Sequence, residues 1–121
     1  MTARRDALAA AIIRLREVLS APESDVSRDA AIQRFEFCFE LAWKSIQERA
    51  REEGLDCQSP KACLQIAFKM SWIESEQGWL AMLQDRNRTS HTYDEDLAKA
   101  VFRRLPNYLP LLDALLNKLK L

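Results

Sequence analysis

With only two glycines and four prolines in 121 residues, the chain lacks the turn-forming residues that a sheet-rich fold would use. The same shortage of glycine excludes a phosphate-cradling loop of the Walker or dinucleotide type. A single histidine and three scattered cysteines cannot supply zinc with its three or four ligands at set spacing. Cys38, Cys57 and Cys63 contain no C-x-x-C pair and leave one thiol over if two were bridged, so free thiols and no disulfide framework are expected. No apolar run approaches the roughly 20 residues needed to cross a bilayer, and the start, Met1 to Asp6, leads into an amphipathic pattern without the apolar core of a signal peptide. A soluble, cytoplasmic protein with no membrane contact and no cofactor is expected. Net charge is absent as well: 18 Lys and Arg balance 18 Asp and Glu. That removes the basic excess that usually marks tight nucleic-acid binding and confines any RNA contact to a local patch.

What is present is helical periodicity from end to end. Leu8, Ile12, Leu15 and Leu19 recur at spacings of four and three, which predicts a first helix from about Ala3 to Ser20, ending before Pro22. Ser24 or Asp25 can cap a long second helix with the stripe Ile32, Phe35, Phe39, Ala42, Trp43 and Ile46, running out near Gly54. Ser59-Pro60 is a start signal for a third helix with Cys63, Ile66, Ala67 and Met70 inward. Ser75 opens a fourth, in which Trp79, Met82, Leu83 and Arg86 continue one face into a polar run. Asp94 restarts the pattern, and Pro106 and Pro110 kink or divide the C-terminal helical stretch. Short connections favour antiparallel neighbours, so the expected fold is an all-α, up-and-down four-helix bundle with an additional kinked C-terminal helix, forming one domain over residues 1–121. Phe35, Phe39, Trp43, Ile66, Trp79 and Leu83 are expected to share its core.

The second helix is apolar on more than one side. Phe37 and Leu41 form an i, i+4 pair away from the inward stripe, which a second interface would absorb; a central helix surrounded by its neighbours would absorb them too. Glu36, Glu40 and Lys44 read as a salt-bridged helix face rather than as paired carboxylates for acid-base work, since no second histidine or metal-ligand set accompanies them.

Chemistry concentrates in the run Asp85-Arg86-Asn87-Arg88-Thr89-Ser90-His91-Thr92-Tyr93. His91 is the only imidazole, a group whose ordinary pKa of about 6.5 suits proton exchange near neutral pH. Arg86 offers a permanent charge shaped to grip phosphate. The alternative is a plain helix end, with His91 near the C-terminal dipole and Asn87, Thr89 and Ser90 satisfying free carbonyls.

The strings Arg34-Phe35-Glu36-Phe37-Cys38-Phe39-Glu40-Leu41-Ala42-Trp43-Lys44, Ser59-Pro60-Lys61 and Leu83 to Asp94 resemble the bacterial and archaeal nucleotidyltransferase substrate-binding protein family, part of the HEPN superfamily of helical bundles. The likeness covers almost the whole chain. Members resemble the substrate-binding domain of kanamycin nucleotidyltransferase and are usually encoded beside a minimal nucleotidyltransferase. The superfamily signature is Arg, a polar residue, three variable residues and His, which Arg86, Asn87 and His91 fit. The resemblance implies a HEPN toxin acting as a ribonuclease, with Arg86, His91 and Asn87 as its catalytic set and Arg88 and Ser90 as substrate contacts. It also implies that Tyr93, two residues after the histidine, can be adenylylated by the partner, which silences the nuclease. Some HEPN proteins instead serve only as binding subunits, holding substrate for the nucleotidyltransferase.

Helix geometry constrains the motif. On an ideal helix Arg86 and His91 point about 140 degrees apart, at roughly 100 degrees per residue. Either the helix loosens after Asn87, or the guanidinium arm reaches round, or a two-fold homodimer sets one motif against the other. The expected reaction is metal-independent RNA cleavage, with His91 moving the proton and Arg86 stabilising charge on phosphorus.

Overall fold

Every α-helix of this protein begins where a short polar side chain accepts a hydrogen bond from a free backbone N–H. The computed structural model describes residues 2–120 and contains α1 (Ala3–Leu19), α2 (Asp25–Glu52), α3 (Pro60–Lys69), α4 (Glu76–Arg88) and α5 (Glu95–Leu119), with a single 3-10 turn at Thr89–His91 between the last two. Thr2, Ser24, Ser59, Ser75 and Asp94 are the capping residues, and Pro60 fills the first position of α3, where a missing N–H costs nothing. No strand occurs among the described residues.

Two helices stop in the same way. At the end of α2, Gly54 turns left-handed at φ 78°, its N–H donating to the Arg51 carbonyl at 3.0 Å while that of Leu55 donates to Ala50 at 2.7 Å. This is the Schellman pattern, which satisfies carbonyls the helix leaves open. The end of α3 repeats it with Ser71 in the left-handed position at φ 61°, Trp72 N–H reaching the Ala67 carbonyl at 2.8 Å.

Side-chain bonds fix the helix directions. Arg5, at the start of α1, donates to both oxygens of Glu52 at the end of α2, at 2.8 and 3.0 Å, and to the Leu119 carbonyl at the end of α5, at 3.4 Å. Hence α1 runs antiparallel to both. Trp72, just before α4, lies under the Arg49 guanidinium late in α2, whereas Arg86 near the end of α4 meets Glu40 at the middle of α2, so α4 also runs against α2. The result is an all-helical up-and-down bundle around α2, which touches every other helix. Through both Pro106 and Pro110, α5 continues as one element instead of dividing there.

Leu8, Phe35, Phe39, Ile46, Trp79, Leu105 and Leu112 are sealed in one core. Trp43, Ile66 and Leu83 pack against it while keeping partial solvent contact. Met70, expected inward, is 41% exposed, because the helix ends there and Met70 serves as its C-terminal cap.

The cysteine reading needs correction. Cys57 and Cys63 form a disulfide, and only Cys38 among the three is a free, buried thiol. The turn through Ser59-Pro60 lays the segment before α3 against that helix's first turn and brings the two Cα atoms to 5.2 Å, inside the range a bridge requires. An odd count excluded several bridges, not one.

Candidate functional site

The signature segment lies where α4 runs out. Its α-helix ends at Arg88 and tightens into the 3-10 turn that carries Thr89, Ser90 and His91. Hydroxyls close that end: Thr89 Oγ1 donates to the Arg86 carbonyl at 2.5 Å, Ser90 Oγ to that of Asn87 at 3.1 Å and Thr92 Oγ1 to that of Thr89 at 3.1 Å. The helix-end bonding expected of Thr89 and Ser90 is therefore present, while Asn87, expected to join them, accepts from Arg86 instead and Thr92 supplies the third hydroxyl.

Arg86 is held on three sides. Its Nη2–H donates to Glu40 Oε1, Nη1–H donates to Asn87 Oδ1 at 3.2 Å, and the guanidinium lies 5.8 Å from the centre of the Phe39 ring. Glu40 is in turn oriented by Trp43, whose indole N–H reaches Oε2 at 3.1 Å, with Lys44 Nζ at 3.8 Å from the same oxygen. Of the salt-bridged face expected of Glu36, Glu40 and Lys44, the Glu40–Lys44 pair forms and Glu36 does not join it, and the stronger partner of Glu40 is Arg86, 46 residues away. Glu36, Glu40, Arg86, Asn87, Thr89 and Ser90 line an open cleft of about 360 Å3.

Beneath the cleft sits a residue that periodicity misplaced. Continuing the stripe from Trp79 and Met82 puts Arg86 inward, whereas Asp85 is the buried position and Arg86 is half-buried. Asp85 accepts from Arg104 Nε and Nη2 at 2.8 and 2.7 Å, from Arg88 Nη1 at 2.9 Å and from the Tyr108 hydroxyl. Burial pushes its carboxyl up, but the bonds from Arg104, Tyr108 and Arg88, together with the Arg104 charge, outweigh that and hold it below the ordinary value. Burial, then the bond to Asp85, raises the Tyr108 phenol. The Tyr108 ring stacks on Phe35 with centroids 5.5 Å apart, which joins this polar cluster to the core.

His91 does not line the cleft with Arg86. Its ring is exposed, and its side-chain neighbour is Tyr93, with Nδ1 3.4 Å from the phenol oxygen and the two rings edge to face at 6.0 Å. Tyr93 is 86% exposed. Within one chain, then, Arg86, Asn87 and Ser90 come together, His91 and Tyr93 come together, and Arg88 turns toward Asp85. On the side of α2 facing this turn, a shallow groove runs from Phe37, itself 49% exposed, to Thr92. No group of three or more His, Cys, Asp or Glu side chains is placed to hold a metal among the described residues. No described helix is long and apolar enough to cross a membrane.

Comparison with known proteins agrees with the all-helical fold. A Thermus thermophilus protein of solved structure, ttk003001694, superposes with a TM-score of 0.88 at 42% identity, over 94% of this chain and 99% of that one. HI0074 of Haemophilus influenzae, whose structure is described as revealing the fold of a substrate-binding domain of a nucleotidyltransferase, superposes with a TM-score of 0.86 at 28% identity, over 97% of this chain and 99% of that one. A Haemophilus influenzae protein named "Probable ribonuclease HepT" is 32% identical over 95 residues; the match takes in 74% of this chain and 65% of that relative's length. Residues 3–121 match the family described as nucleotidyltransferase substrate binding protein like, and the chain belongs to that family.

Proposed function

We propose that this protein is a single-domain HEPN subunit of a two-component toxin and nucleotidyltransferase system, acting in the cytoplasm as an endoribonuclease that needs no metal. The observation that carries the reading is the division of labour at the end of α4: an arginine pre-set by Glu40 and Asn87 at the lip of a cleft, and an accessible imidazole one turn further on. Two of the five Arg86 N–H groups are engaged, leaving the others for phosphate. In the reaction, a ribose 2'-oxygen attacks the adjacent phosphorus and the bond to the 5'-oxygen breaks. One His91 takes the 2'-hydroxyl proton, and the imidazolium of a second copy's His91 returns one to the leaving oxygen. The products are a 2',3'-cyclic phosphate and a 5'-hydroxyl, and Arg86 stabilises the charge on the phosphorane oxygens.

Because Arg86 and His91 face different spaces in one chain, a homodimer that docks the Phe37 groove beside the motif supplies the missing proximity. Silencing follows from Tyr93. Its phenol oxygen attacks the α-phosphorus of a nucleoside triphosphate held by a minimal nucleotidyltransferase partner, pyrophosphate leaves, and the phenol proton is lost. The adduct places charge and bulk next to His91. The name of the 32% identical relative supports the nuclease. The Glu40 bond, which neutralises Arg86, favours the second reading, a substrate-binding subunit that contacts nucleotide without cleaving RNA.

Expression of wild type without its partner decides between them. Growth arrest and cleaved RNA, both abolished by His91→Ala and by Arg86→Ala in folded protein, are expected; wild type as inert as His91→Ala overturns the nuclease in favour of the binding subunit.

A further inference from the structure

We propose that Arg88 and Arg104, gathered on the single carboxylate of Asp85, form a second anion site at the end of α4 that takes a backbone phosphate of the RNA strand beside the one at Arg86; this rests on the ribonuclease reading. Arg88 Nη1 and Arg104 Nη2 converge on the same oxygen, Oδ1, at 2.9 and 2.7 Å, which sets two guanidinium groups side by side. Asp85 is wholly buried, while the Arg88 and Arg104 side chains keep 45% and 41% of their exposure. The negative charge is thus inside and the positive charge is at the surface.

Charge balance separates this pair from the other arginines that are ion-paired among the described residues. Arg104 alone, through its two-pronged bond, neutralises the charge of Asp85, and Tyr108 and Arg88 take the remaining acceptor sites. Arg88 is therefore surplus to the buried carboxylate, and neither guanidinium has another carboxylate partner among the described residues. By contrast, Arg5, Arg16, Arg28, Arg49 and Arg86 each have an acidic partner of their own. In a chain of zero net charge, two adjacent cations sharing one buried anion make a local positive centre. A last-turn arginine complementing the helix dipole accounts for Arg88 alone, whereas Arg104 reaches across from α5 to the same carboxylate and keeps part of its side chain exposed. A phosphodiester seated between the two relieves their repulsion and uses donors that Asp85 leaves free. Arg86 faces α2 and this pair faces α5, so a strand crossing the end of α4 meets both.

The test uses His91→Ala as a non-cleaving background, a fluorescent single-stranded oligoribonucleotide, and affinity measured across a salt series. Adding Arg88→Gln leaves the Arg104 and Tyr108 bonds to Asp85 in place and so keeps the fold, which a melting curve checks. Affinity is expected to fall roughly tenfold, and the slope of log K against log salt to drop by about 0.7, the value of one single-strand phosphate. Arg104→Gln should act in the same direction, and if it unfolds the protein Arg88→Gln decides alone. Unchanged affinity and slope in folded Arg88→Gln overturns the site, and leaves the nuclease standing if wild type cuts the same strand. Binding with an Arg88-dependent slope in a wild type that cuts nothing keeps the site and removes the nuclease. Absence of strand binding overturns both.

Discussion

Arg104 closes two fork nitrogens on Asp85, Nε at 2.8 Å and Nη2 at 2.7 Å, across 19 residues of sequence. That bond pins the end of α4, immediately before Arg86, to the middle of α5. The motif is thereby anchored from below by a buried ion pair and from the side by Glu40.

Asp85→Asn should destabilise the protein by about 2–4 kcal/mol in urea unfolding, since it removes one partner of a buried charge-assisted cluster. The pH dependence has a definite sign. Because the Asp85 carboxyl titrates below its ordinary value in the folded state, its contribution is complete above about pH 4 and is lost as pH falls further, through the folded value. Wild type should therefore weaken on that acid limb, and Asp85→Asn should show a shallower decline. The raised Tyr108 phenol works in the opposite direction: its contribution is complete below about pH 10 and is lost as pH rises beyond it, and Tyr108→Phe should flatten that alkaline limb.

Glu40→Gln is expected to separate binding from turnover. Removing the carboxylate frees Arg86 from a competitor for phosphate, so KM for RNA should fall; losing the fixed guanidinium should lower kcat, by about tenfold. Steady-state cleavage measures both, and a fall in kcat with unchanged KM would show that Glu40 only positions.

Ser71→Gly should stabilise the fold by about 1 kcal/mol. Ser71 carries φ 61° in the cap of α3, a left-handed conformation that costs a side-chain-bearing residue about 1–2 kcal/mol and glycine almost nothing. A rise in the urea midpoint with unchanged slope checks it.

Thiol counting tests the cysteine arrangement. Cys38 is fully buried, and burial pushes its thiol up to about 12, so native oxidised protein should give no reaction with iodoacetamide. Denaturation should release one thiol, and denaturation with reductant three. Reduction of Cys57–Cys63, which spans only six residues, should cost about 2 kcal/mol on the chain-entropy account.

Much of this architecture was legible because it is local. Ser24, Ser59-Pro60, Ser75 and Asp94 cap the helices they precede, and a cap needs only residues within one turn. The site was legible as a string of residue types and not as a set of partners. Glu40 meets Arg86 across 46 residues and Asp85 meets Arg104 across 19, distances over which the register of one helix against another, invisible to periodicity, decides who touches whom. A one-residue difference in phase exchanged the roles of Asp85 and Arg86. The available signal was a carboxylate three residues after Met82 on the apolar side, with Arg104 and Tyr108 four apart on α5. The disulfide depended likewise on how one loop folds back.

The unbroken run of α5 through Pro106 and Pro110 has a consequence for how the molecule comes together. Neither residue can donate a backbone bond, so the carbonyls of Phe102 and Pro106 lose their usual helical donors, and each proline costs an isolated helix about 3 kcal/mol. Both prolines face solvent, where water can serve those carbonyls. The opposite side, from Val101 through Leu105 and Leu112 to Leu119, is buried against the bundle. The helicity of residues 95–119 is thus borrowed from the groove that receives them. A peptide of that span should stay largely unstructured in water, and circular dichroism of the isolated segment checks it.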